Sequence, residues 1–234
     1  ARLRDGEEYL KIAPVHCLHK RRSYPHEYLL SANFLGRKRN GKRKSESSPM
    51  RQVDHFIVGG AGGLSSRHHS IWNPSTGEIQ AEVALGDAAL LDRAVAAAKK
   101  VQPEWAVTNP QRRARIMFAF KQLVEANRDE LAHLLSSEHG KVIDDAQGDI
   151  QRGLEVIEYA CGIPQVLKGE YTLGAGPGID VYSARQPLGI GAGITPFNFP
   201  AMIPMWMFGM AIAAGNAFIL KPSERDPSVP VRLA

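Results

Sequence analysis

The sequence predicts an α/β protein built around part of a parallel sheet. Residues 189–194 and 217–220 are short apolar runs of the kind that forms buried parallel strands. Between them, residues 201–215 are apolar nearly all round, which is typical of a helix packed inside an α/β layer. A polar turn follows each strand, at residues 195–200 and 221–224. Because open α/β sheets bind ligands outside the carboxyl ends of their strands, both turns are candidate ligand sites.

The chain before these strands begins with short extended segments and a helix. Residues 55–60 and 70–74 favour strands, and the Asn-Pro-Ser-Thr-Gly run at 73–77 predicts a turn. Asp87 is predicted to cap a helix that ends near Trp105. The expected apolar stripe of that helix consists of Leu91, Val95 and Ala98.

Three more helical segments and a hairpin are expected before the parallel strands. Asn109 and Pro110 form an N-cap followed by proline, and they open a helical stretch to about residue 139, interrupted near Asn127. Gly140 is a predicted C-cap, and a further helix is expected over residues 144–167.

The glycine-rich turn at residues 174–178 predicts a hairpin. Residues 171–173 and 179–186 flank it as candidate strands, and an uncovered edge of such a hairpin would leave backbone groups unpaired. At the end of the chain, residues 228–234 begin a helix, with Asp226 or Ser228 as the expected N-cap.

The charge of the chain is divided unevenly. Residues 1–49 hold 12 of the 29 Lys and Arg residues and 5 of the 24 Asp and Glu residues, for a net charge of +7. The rest holds 17 basic and 19 acidic residues, for a net charge of −2, and it has no nucleic-acid signature. Its apolar runs are too short or too interrupted to predict a membrane span. Two cysteines, with no metal-ligand spacing, favour a reducing cytoplasm and no metal site.

The two polar turns also carry specific motifs. Residues 195–200 are TPFNFP, residues 221–225 are KPSER, and AMIPMWMFGMAIAAGNAFI lies before the second motif. Together they resemble the aldehyde dehydrogenase superfamily, and in particular its CoA-acylating methylmalonate-semialdehyde dehydrogenase branch. The similarity extends from about Met50 to Ala234. The glycines at 189–193 do not fit the GxGxxG dinucleotide fingerprint, so they add little evidence for a nucleotide site.

This resemblance implies the N-terminal part of an aldehyde dehydrogenase fold, with an incomplete Rossmann-like parallel sheet and a β-hairpin arm for oligomerisation. Residues 1–49 would be a basic, disordered or non-native extension, interpreted here as translated upstream sequence, with a nucleic-acid or localisation tail and a transit peptide as alternatives. Residues 50–170 would pack on the cofactor domain, 171–187 would be the arm, and 188–234 would begin the NAD-binding domain. The chain is then expected to be a fragment of a homo-oligomer, a tetramer by resemblance.

The resemblance also assigns chemical roles. A cysteine thiolate adds to an aldehyde, a hydride leaves for NAD, and the resulting thioester is released to coenzyme A or to water. Asn198 would donate to the oxygen that gains charge; its alternative is to satisfy backbone groups of the turn. Lys221 and Glu224 would hold the adenosine ribose of NAD, or else form a surface salt bridge.

Further contacts follow from the same resemblance. Thr195, Phe197 and Arg225 would contact the cofactor, partly through backbone atoms. Arg152 would bind a substrate carboxylate bidentately, or else be a solvated or internally paired helix residue. Cys161 lies in an apolar helical context without a neighbouring cation and is interpreted as a structural thiol. The nucleophile would then lie beyond this chain, and Trp72, Trp105 and Trp206 are expected in the core.

The predicted function of the complete protein is NAD-dependent oxidation of methylmalonate or malonate semialdehyde to an acyl-CoA. The alternatives are an aldehyde dehydrogenase that releases free acid, and a non-catalytic fragment that binds a nucleotide or a subunit. A small semialdehyde is the expected partner, with no nucleic acid and no membrane.

Overall fold

The first part of the structure is a small mixed sheet. The computed structural model describes residues 50–57, 60–61 and 65–234, so the predictions for residues 1–49 lie outside the described residues. The first strands are β1 (Arg51–Val53), β2 (Phe56–Ile57), β3 (Gly60–Ala61), β4 (His68–Asn73) and β5 (Glu78–Ala84). β5 lies between β1, which is parallel to it, and β4, which is antiparallel. β2 and β3 form a separate antiparallel pair.

The sequence predicts this region only in part. The strand at β4 and the turn after it are confirmed, because the backbone N–H of Gly77 donates to the Asn73 carbonyl over 2.8 Å. Residues 55–60 contain β2 and the first residue of β3 rather than one strand, with residues 58–59 outside the described part. The strands β1 and β5 were not predicted.

Three helices follow, at α1 (Ala88–Val107), α2 (Pro110–Ala126) and α3 (Arg128–His139). Their predicted ends are confirmed by local contacts. The Asp87 side chain accepts the N–H of Leu90, and the Asn109 side chain accepts the N–H of Gln111. Gly140 ends α3 in the left-handed region at a φ of 89°.

The predicted apolar stripe of α1 is confirmed at Ala98, is half-buried at Val95, and is wrong at Leu91. The buried residues are Leu90, Ala94, Ala98 and Trp105, and 38% of Leu91 is exposed. Ala94 packs against Ile219 of the parallel sheet. The position of that sheet therefore decides which face of α1 is buried.

The next helical segment is divided in two. α4 (Ile143–Cys161) and α5 (Ile163–Val166) are separated at Gly162, whereas the sequence predicts one helix over residues 144–167. The break is favoured by Pro164, because a proline near the start of a helix lacks only an N–H that would have no partner there.

The predicted hairpin is present, but its first strand extends to residue 176 instead of 173 and its second strand ends at residue 182 instead of 186. β6 (Tyr171–Gly176) and β7 (Ile179–Tyr182) are antiparallel, and Gly174 and Gly178 adopt positive φ angles of 66° and 69°. Such angles favour glycine because it has no Cβ atom to clash with the backbone.

The last elements are β8 (Ile190–Ile194), α6 (Met202–Ala213), β9 (Ala217–Lys221) and α7 (Ser228–Leu233). β8 and β9 pair in parallel, so the predicted strand, helix, strand order and the α/β fold class are confirmed. The predicted N-cap of α7 is wrong, because Pro227 occupies that position. The Glu138 side chain of α3 accepts the N–H of Ser228 instead.

The main core joins α2, α4 and α6 to the parallel strands. α4 and α6 approach closely through two glycines. A Cβ atom on Gly153 would lie 2.1 Å from the terminal methyl of Met205, and one on Gly209 would lie 2.6 Å from Cδ1 of Ile157. This close packing fixes the start of α6 against α4, and the first polar turn lies directly before that start.

Buried polar groups secure the other end of α6. Trp105 Nε1 donates to the Ile212 carbonyl over 2.9 Å, and Arg113 Nε donates to the Ala213 carbonyl over 2.8 Å. Arg113 also donates to the carbonyls of Ala106 and Thr108 near the end of α1. One buried guanidinium thus satisfies carbonyl groups at two helix ends, which have no intrahelical partner of their own.

Candidate functional site

The two polar turns lie side by side at the carboxyl ends of β8 and β9. Ile194 pairs with Lys221 in the parallel register, and the Thr195 N–H donates to the Lys221 carbonyl over 3.0 Å. The structure therefore brings together the predicted residues of the first turn (Thr195, Phe197 and Asn198) and of the second (Lys221, Glu224 and Arg225).

The second turn presents a paired cation and anion. Lys221 Nζ lies 3.4 Å from Glu224 Oε2, with 12% and 31% of the two side chains exposed. Partial burial alone would raise the pKa of Glu224, but its own backbone N–H and the charge and hydrogen bond of Lys221 outweigh it. The pKa of Glu224 is therefore held below its ordinary value. The turn thus presents a carboxylate that is ionised at neutral pH next to an ammonium.

A cation–aromatic contact joins the two turns. The Arg225 guanidinium carbon lies 4.7 Å from the centre of the Phe197 ring. Phe197 also lies 6.5 Å from the His139 ring, measured between centroids. This contact gives Arg225 a place in the site, and it orders an aromatic side chain that remains 46% exposed.

A cavity of about 280 Å³ extends from this contact toward the first sheet and α3. Its lining brings together aromatic, basic and acidic side chains from both turns, β4 and α3, with Phe197, Arg225, Trp72, His69, His139, Glu138 and Asp226 among them. Trp72 is 51% exposed, so the expectation that it lies in the core is wrong.

Asp226 is the most perturbed acid in the described part of the chain. It is 2% exposed, and no donor among the described residues meets either carboxylate oxygen with hydrogen-bonding geometry. Burial, followed by the charge of Glu138, raises the pKa of Asp226 to about 8. Asp226 is therefore largely protonated at neutral pH.

Thr195 is buried beneath the first turn. It is 3% exposed, and its hydroxyl makes no hydrogen bond with the described residues. Its N–H is occupied by the Lys221 carbonyl. Any backbone contact from Thr195 to a cofactor would therefore use its carbonyl oxygen, while the hydroxyl offers a donor and an acceptor.

Asn198 is exposed in the first turn, and its backbone is held by residues that the sequence patterns did not indicate. Lys141 Nζ donates to the Asn198 carbonyl over 3.0 Å. Asp149 Oδ1 accepts the N–H of Met202 over 2.7 Å. One signal could have revealed Asp149. It is an acidic residue in the apolar stripe of α4, between Ala146 and Gly153 at helical spacing.

Arg152 lies on α4, next to Trp206 of α6. Its guanidinium is 3.2 Å from Glu155 Oε2, and 69% of the side chain is exposed. Its carbonyl accepts the indole N–H of Trp206 over 3.1 Å. Trp206 is 46% exposed, so it does not lie in the core as expected, whereas Trp105 does. Arg152 is thus an accessible cation beside an exposed aromatic surface.

Cys161 has the environment of a structural thiol. It is the last residue of α4, is 6% exposed and belongs to the main core. Burial raises the pKa of the Cys161 thiol, and the charge of Lys121 offsets this only in part. A thiol with a raised pKa is a poor nucleophile at neutral pH.

The two turns and the strands that carry them lie within the part of the chain that matches known proteins. A model described as the aldehyde dehydrogenase family matches residues 63–234. The chain belongs to the aldehyde dehydrogenase family. Its α/β fold is that of the N-terminal part of the aldehyde dehydrogenase fold, in agreement with the resemblance in the sequence.

Curated members of the aldehyde dehydrogenase family give the context in sequence. A malonate-semialdehyde dehydrogenase of Pseudomonas aeruginosa is 49% identical over 185 residues, which are 79% of this chain and 37% of that protein. A mitochondrial acylating methylmalonate-semialdehyde dehydrogenase of Arabidopsis thaliana is 48% identical over 170 residues, covering 73% and 28%. The chain thus spans well under half of the length of these relatives.

Solved structures of the family show the same fold. A protein from Sinorhizobium meliloti, complexed with NAD, has 65% identity and a TM-score of 0.77, covering 80% of this chain and 38% of that one. A methylmalonate-semialdehyde dehydrogenase from Oceanimonas doudoroffii has 49% identity and a TM-score of 0.78, covering 79% of this chain and 38% of that one.

The described part of the chain offers neither a membrane span nor a metal cluster. No helix there is both long and apolar enough to cross a membrane. The described residues also contain no group of three or more His, Cys, Asp or Glu side chains placed to hold a metal ion.

Proposed function

We propose that the complete protein containing these residues oxidises a small semialdehyde with NAD and transfers the acyl group to coenzyme A through a cysteine thioester. The observation that carries the proposal is the adjacency of the TPFNFP and KPSER turns at the ends of two parallel strands. Relatives named for malonate and methylmalonate semialdehyde favour those substrates. In this proposal the chain supplies Asn198 and part of the NAD site, and the nucleophile lies outside it.

Asn198 is proposed as the oxyanion donor. When a thiolate adds to the aldehyde carbon, the carbonyl oxygen becomes negatively charged and needs a donor close by. The Asn198 side chain is exposed at the start of α6 and carries two N–H groups. When the hydride leaves for NAD, the carbonyl forms again and its oxygen loses the negative charge.

The second turn is proposed to bind the adenosine ribose. Lys221 can donate to one hydroxyl and Glu224 can accept from another, because both lie at the same strand end. The ionised Glu224 carboxylate would repel a 2′-phosphate, which favours NAD over NADP. The buried Thr195 hydroxyl without a partner among the described residues fits a ligand contact, and Phe197 with Arg225 provides a stacked surface.

Arg152 is proposed to bind the substrate carboxylate. Its guanidinium is accessible, and its single described ion pair is with a neighbouring exposed residue, Glu155. Exposed pairs of this kind contribute little free energy, so Arg152 could exchange Glu155 for a substrate carboxylate at low cost.

The hairpin of β6 and β7 is proposed as a subunit contact in a homo-oligomer, a tetramer by resemblance. Its strands expose Tyr171, Leu173, Ile179, Val181 and Tyr182 by 52–77%. Two isolated strands with such an apolar surface gain stability when another chain covers them. A cytoplasmic location is also proposed, because two cysteines without a disulfide framework favour a reducing compartment.

The alternatives are an aldehyde dehydrogenase that releases the free acid and a non-catalytic fragment that binds a nucleotide or a subunit. The deciding assay follows NADH formation by the complete protein with malonate or methylmalonate semialdehyde, with and without coenzyme A. Formation of an acyl-CoA at the rate of NADH formation supports the proposal. Free acid at the same rate with or without coenzyme A supports the first alternative, and no NADH supports the second.

Variants test the assigned chemistry in the same assay. Asn198→Ala should lower kcat by about 10²- to 10³-fold with little change in NAD affinity. Asn73→Ala is the matched control, because the Asn73 side chain also lies in a polar turn, where it accepts the N–H of Ser75. Cys161→Ala should retain activity. Full activity of Asn198→Ala, or loss of turnover in Cys161→Ala with the fold intact, would contradict the assignment.

A further inference from the structure

Lys141 reaches the turn that carries Asn198 from the loop between α3 and α4. Its Nζ lies 3.0 Å from the Asn198 carbonyl oxygen and 4.6 Å from the centre of the Phe199 ring. Only 11% of the Lys141 side chain is exposed, so water competes weakly for the ammonium. Two consecutive residues of the turn are thus held by one cation.

Asp149 links that cation to the start of α6. Its Oδ2 lies 3.3 Å from Lys141 Nζ, and its Oδ1 accepts the N–H of Met202 over 2.7 Å. The first N–H groups of a helix have no intrahelical partner, and the N-cap Ala201 has no side chain that could accept one. The cap therefore comes from another helix. Burial raises the pKa of Asp149, whereas Met202 and Lys141 act to keep it ionised.

The pair fixes the backbone that directly follows the exposed Asn198 side chain, from its own carbonyl to the start of α6. Lys141 binds the carbonyl of residue 198, and Asp149 binds the N–H of residue 202. Because the Asn198 side chain is exposed, its direction is set by this backbone rather than by core packing. A displacement of about 1 Å at a reacting centre costs on the order of 10²-fold in rate.

We propose that Lys141 and Asp149 are positioning residues that hold the Asn198 carboxamide where the oxyanion forms. The inference rests on the proposed function of Asn198 and extends it to two residues from separate parts of the chain. Lys141 and Asp149 act through the turn and need not contact the substrate.

A double-mutant cycle in the complete protein tests this role. Lys141→Met keeps an apolar stem of similar length and removes the ammonium. It should lower kcat by about 10- to 100-fold while the Kd for NAD changes by less than about twofold. In an Asn198→Ala background, the same substitution should change kcat by less than about threefold, because no donor remains to be positioned. Lys141→Arg, which keeps the cation, should recover part of the lost kcat.

Two further variants keep the test decisive. Lys121→Met is the control, since Lys121 also pairs with carboxylates, Glu125 and Glu158, but lies away from the turn. It should leave kcat unchanged. Asp149→Asn retains an acceptor for the Met202 N–H and removes the charge, so it repeats the cycle if Lys141→Met does not fold.

The outcomes distinguish a failure of the positioning role from a failure of the role of Asn198. If Lys141→Met, or Asp149→Asn in its place, lowers kcat equally in the parent and in the Asn198→Ala background, the substituted residue has a general structural role. That result would overturn the positioning role of Lys141 and Asp149 but leave the proposed role of Asn198 intact. If Asn198→Ala by itself leaves kcat unchanged, the proposed role of Asn198 fails, and the positioning role fails with it.

Discussion

The backbone N–H of Thr195 donates to the carbonyl of Lys221 over 3.0 Å, just beyond the last paired residues of β8 and β9. The two polar turns are therefore joined by the main chain and not only by side chains. Substitutions of exposed side chains in either turn should then change ligand binding with little effect on the sheet. The role of each side chain can accordingly be tested separately from the stability of the sheet.

Lys221→Ala should raise the KM for NAD by about tenfold, with a smaller effect on kcat, because one charge-assisted hydrogen bond to the cofactor is lost. Steady-state kinetics with varied NAD measure both constants. Opposite phenotypes, a loss of kcat in Lys221→Ala and a raised KM in Asn198→Ala, would show that the two roles are assigned to the wrong turns.

Glu224→Gln should reduce the preference for NAD over NADP. The carboxylate is ionised at neutral pH, since its pKa lies below the ordinary value, and its removal eliminates the repulsion of a 2′-phosphate. The measurement is the ratio of kcat/KM for the two cofactors. Glu78→Gln, a change at an exposed strand residue, is the control, and an unchanged ratio in Glu224→Gln would contradict ribose recognition by Glu224.

Arg152→Leu should lower kcat/KM for a semialdehyde with a carboxylate by about 10- to 100-fold, because a charge-assisted pair contributes about 1.5–3 kcal/mol. Propanal has no carboxylate and should be affected little. The comparison separates recognition from stability, since a structural arginine would affect both substrates alike. Glu155→Gln, which removes only the partner of Arg152, should preserve the activity on both.

Asp226→Asn should flatten the pH dependence of stability between about pH 5 and 8. The folded-state pKa of Asp226 is about 8, above the ordinary value of 3.8, because burial and then Glu138 disfavour the charged form. The neutral acid therefore contributes its full stability below about pH 4, and this is lost as the pH rises toward 8. One group can account for at most about 1.4 kcal/mol per pH unit.

Calorimetry of the complete protein at several pH values measures the Asp226 effect as a shift in the thermal midpoint. The variant should gain stability relative to the parent as the pH rises. Asp92→Asn, on the exposed face of α1, is the control. A parent whose midpoint does not fall with pH would contradict the assignment.

Starting translation at Met50 should leave both the activity and the thermal midpoint of the complete protein unchanged. Arg51→Met, in contrast, should destabilise the fold by about 1–3 kcal/mol. Arg51 donates to Glu138 over 2.6 Å and to Ser228 over 2.7 Å, and the Glu138 side chain is fully buried. Unfolding experiments in denaturant compare the two changes. A clear loss on removal of residues 1–49 would show that the basic segment belongs to the enzyme.

Local patterns in the sequence predict much of the architecture. Asp87, Asn109 and Gly140 mark helix ends through contacts within three or four residues, so their roles follow from nearby sequence. The order of β8, α6 and β9, and the two turns that follow the strands, were predictable for the same reason. The motifs in those turns were also sufficient to indicate the family.

Long-range packing decided what the sequence could not. The parallel sheet selected Leu90 and Ala94 as the most buried residues of α1 and left Leu91 exposed, because helical periodicity alone does not identify the partner surface. Lys141 and Asp149 lie 57 and 53 residues from their partners Asn198 and Met202, so their contacts exist only after α4 and α6 have packed. The sequence by itself determined the family, the order of β8, α6 and β9, and the candidate residues of the two turns. The tertiary structure determined how those residues are held, because the burial of a charge depends on which elements surround it.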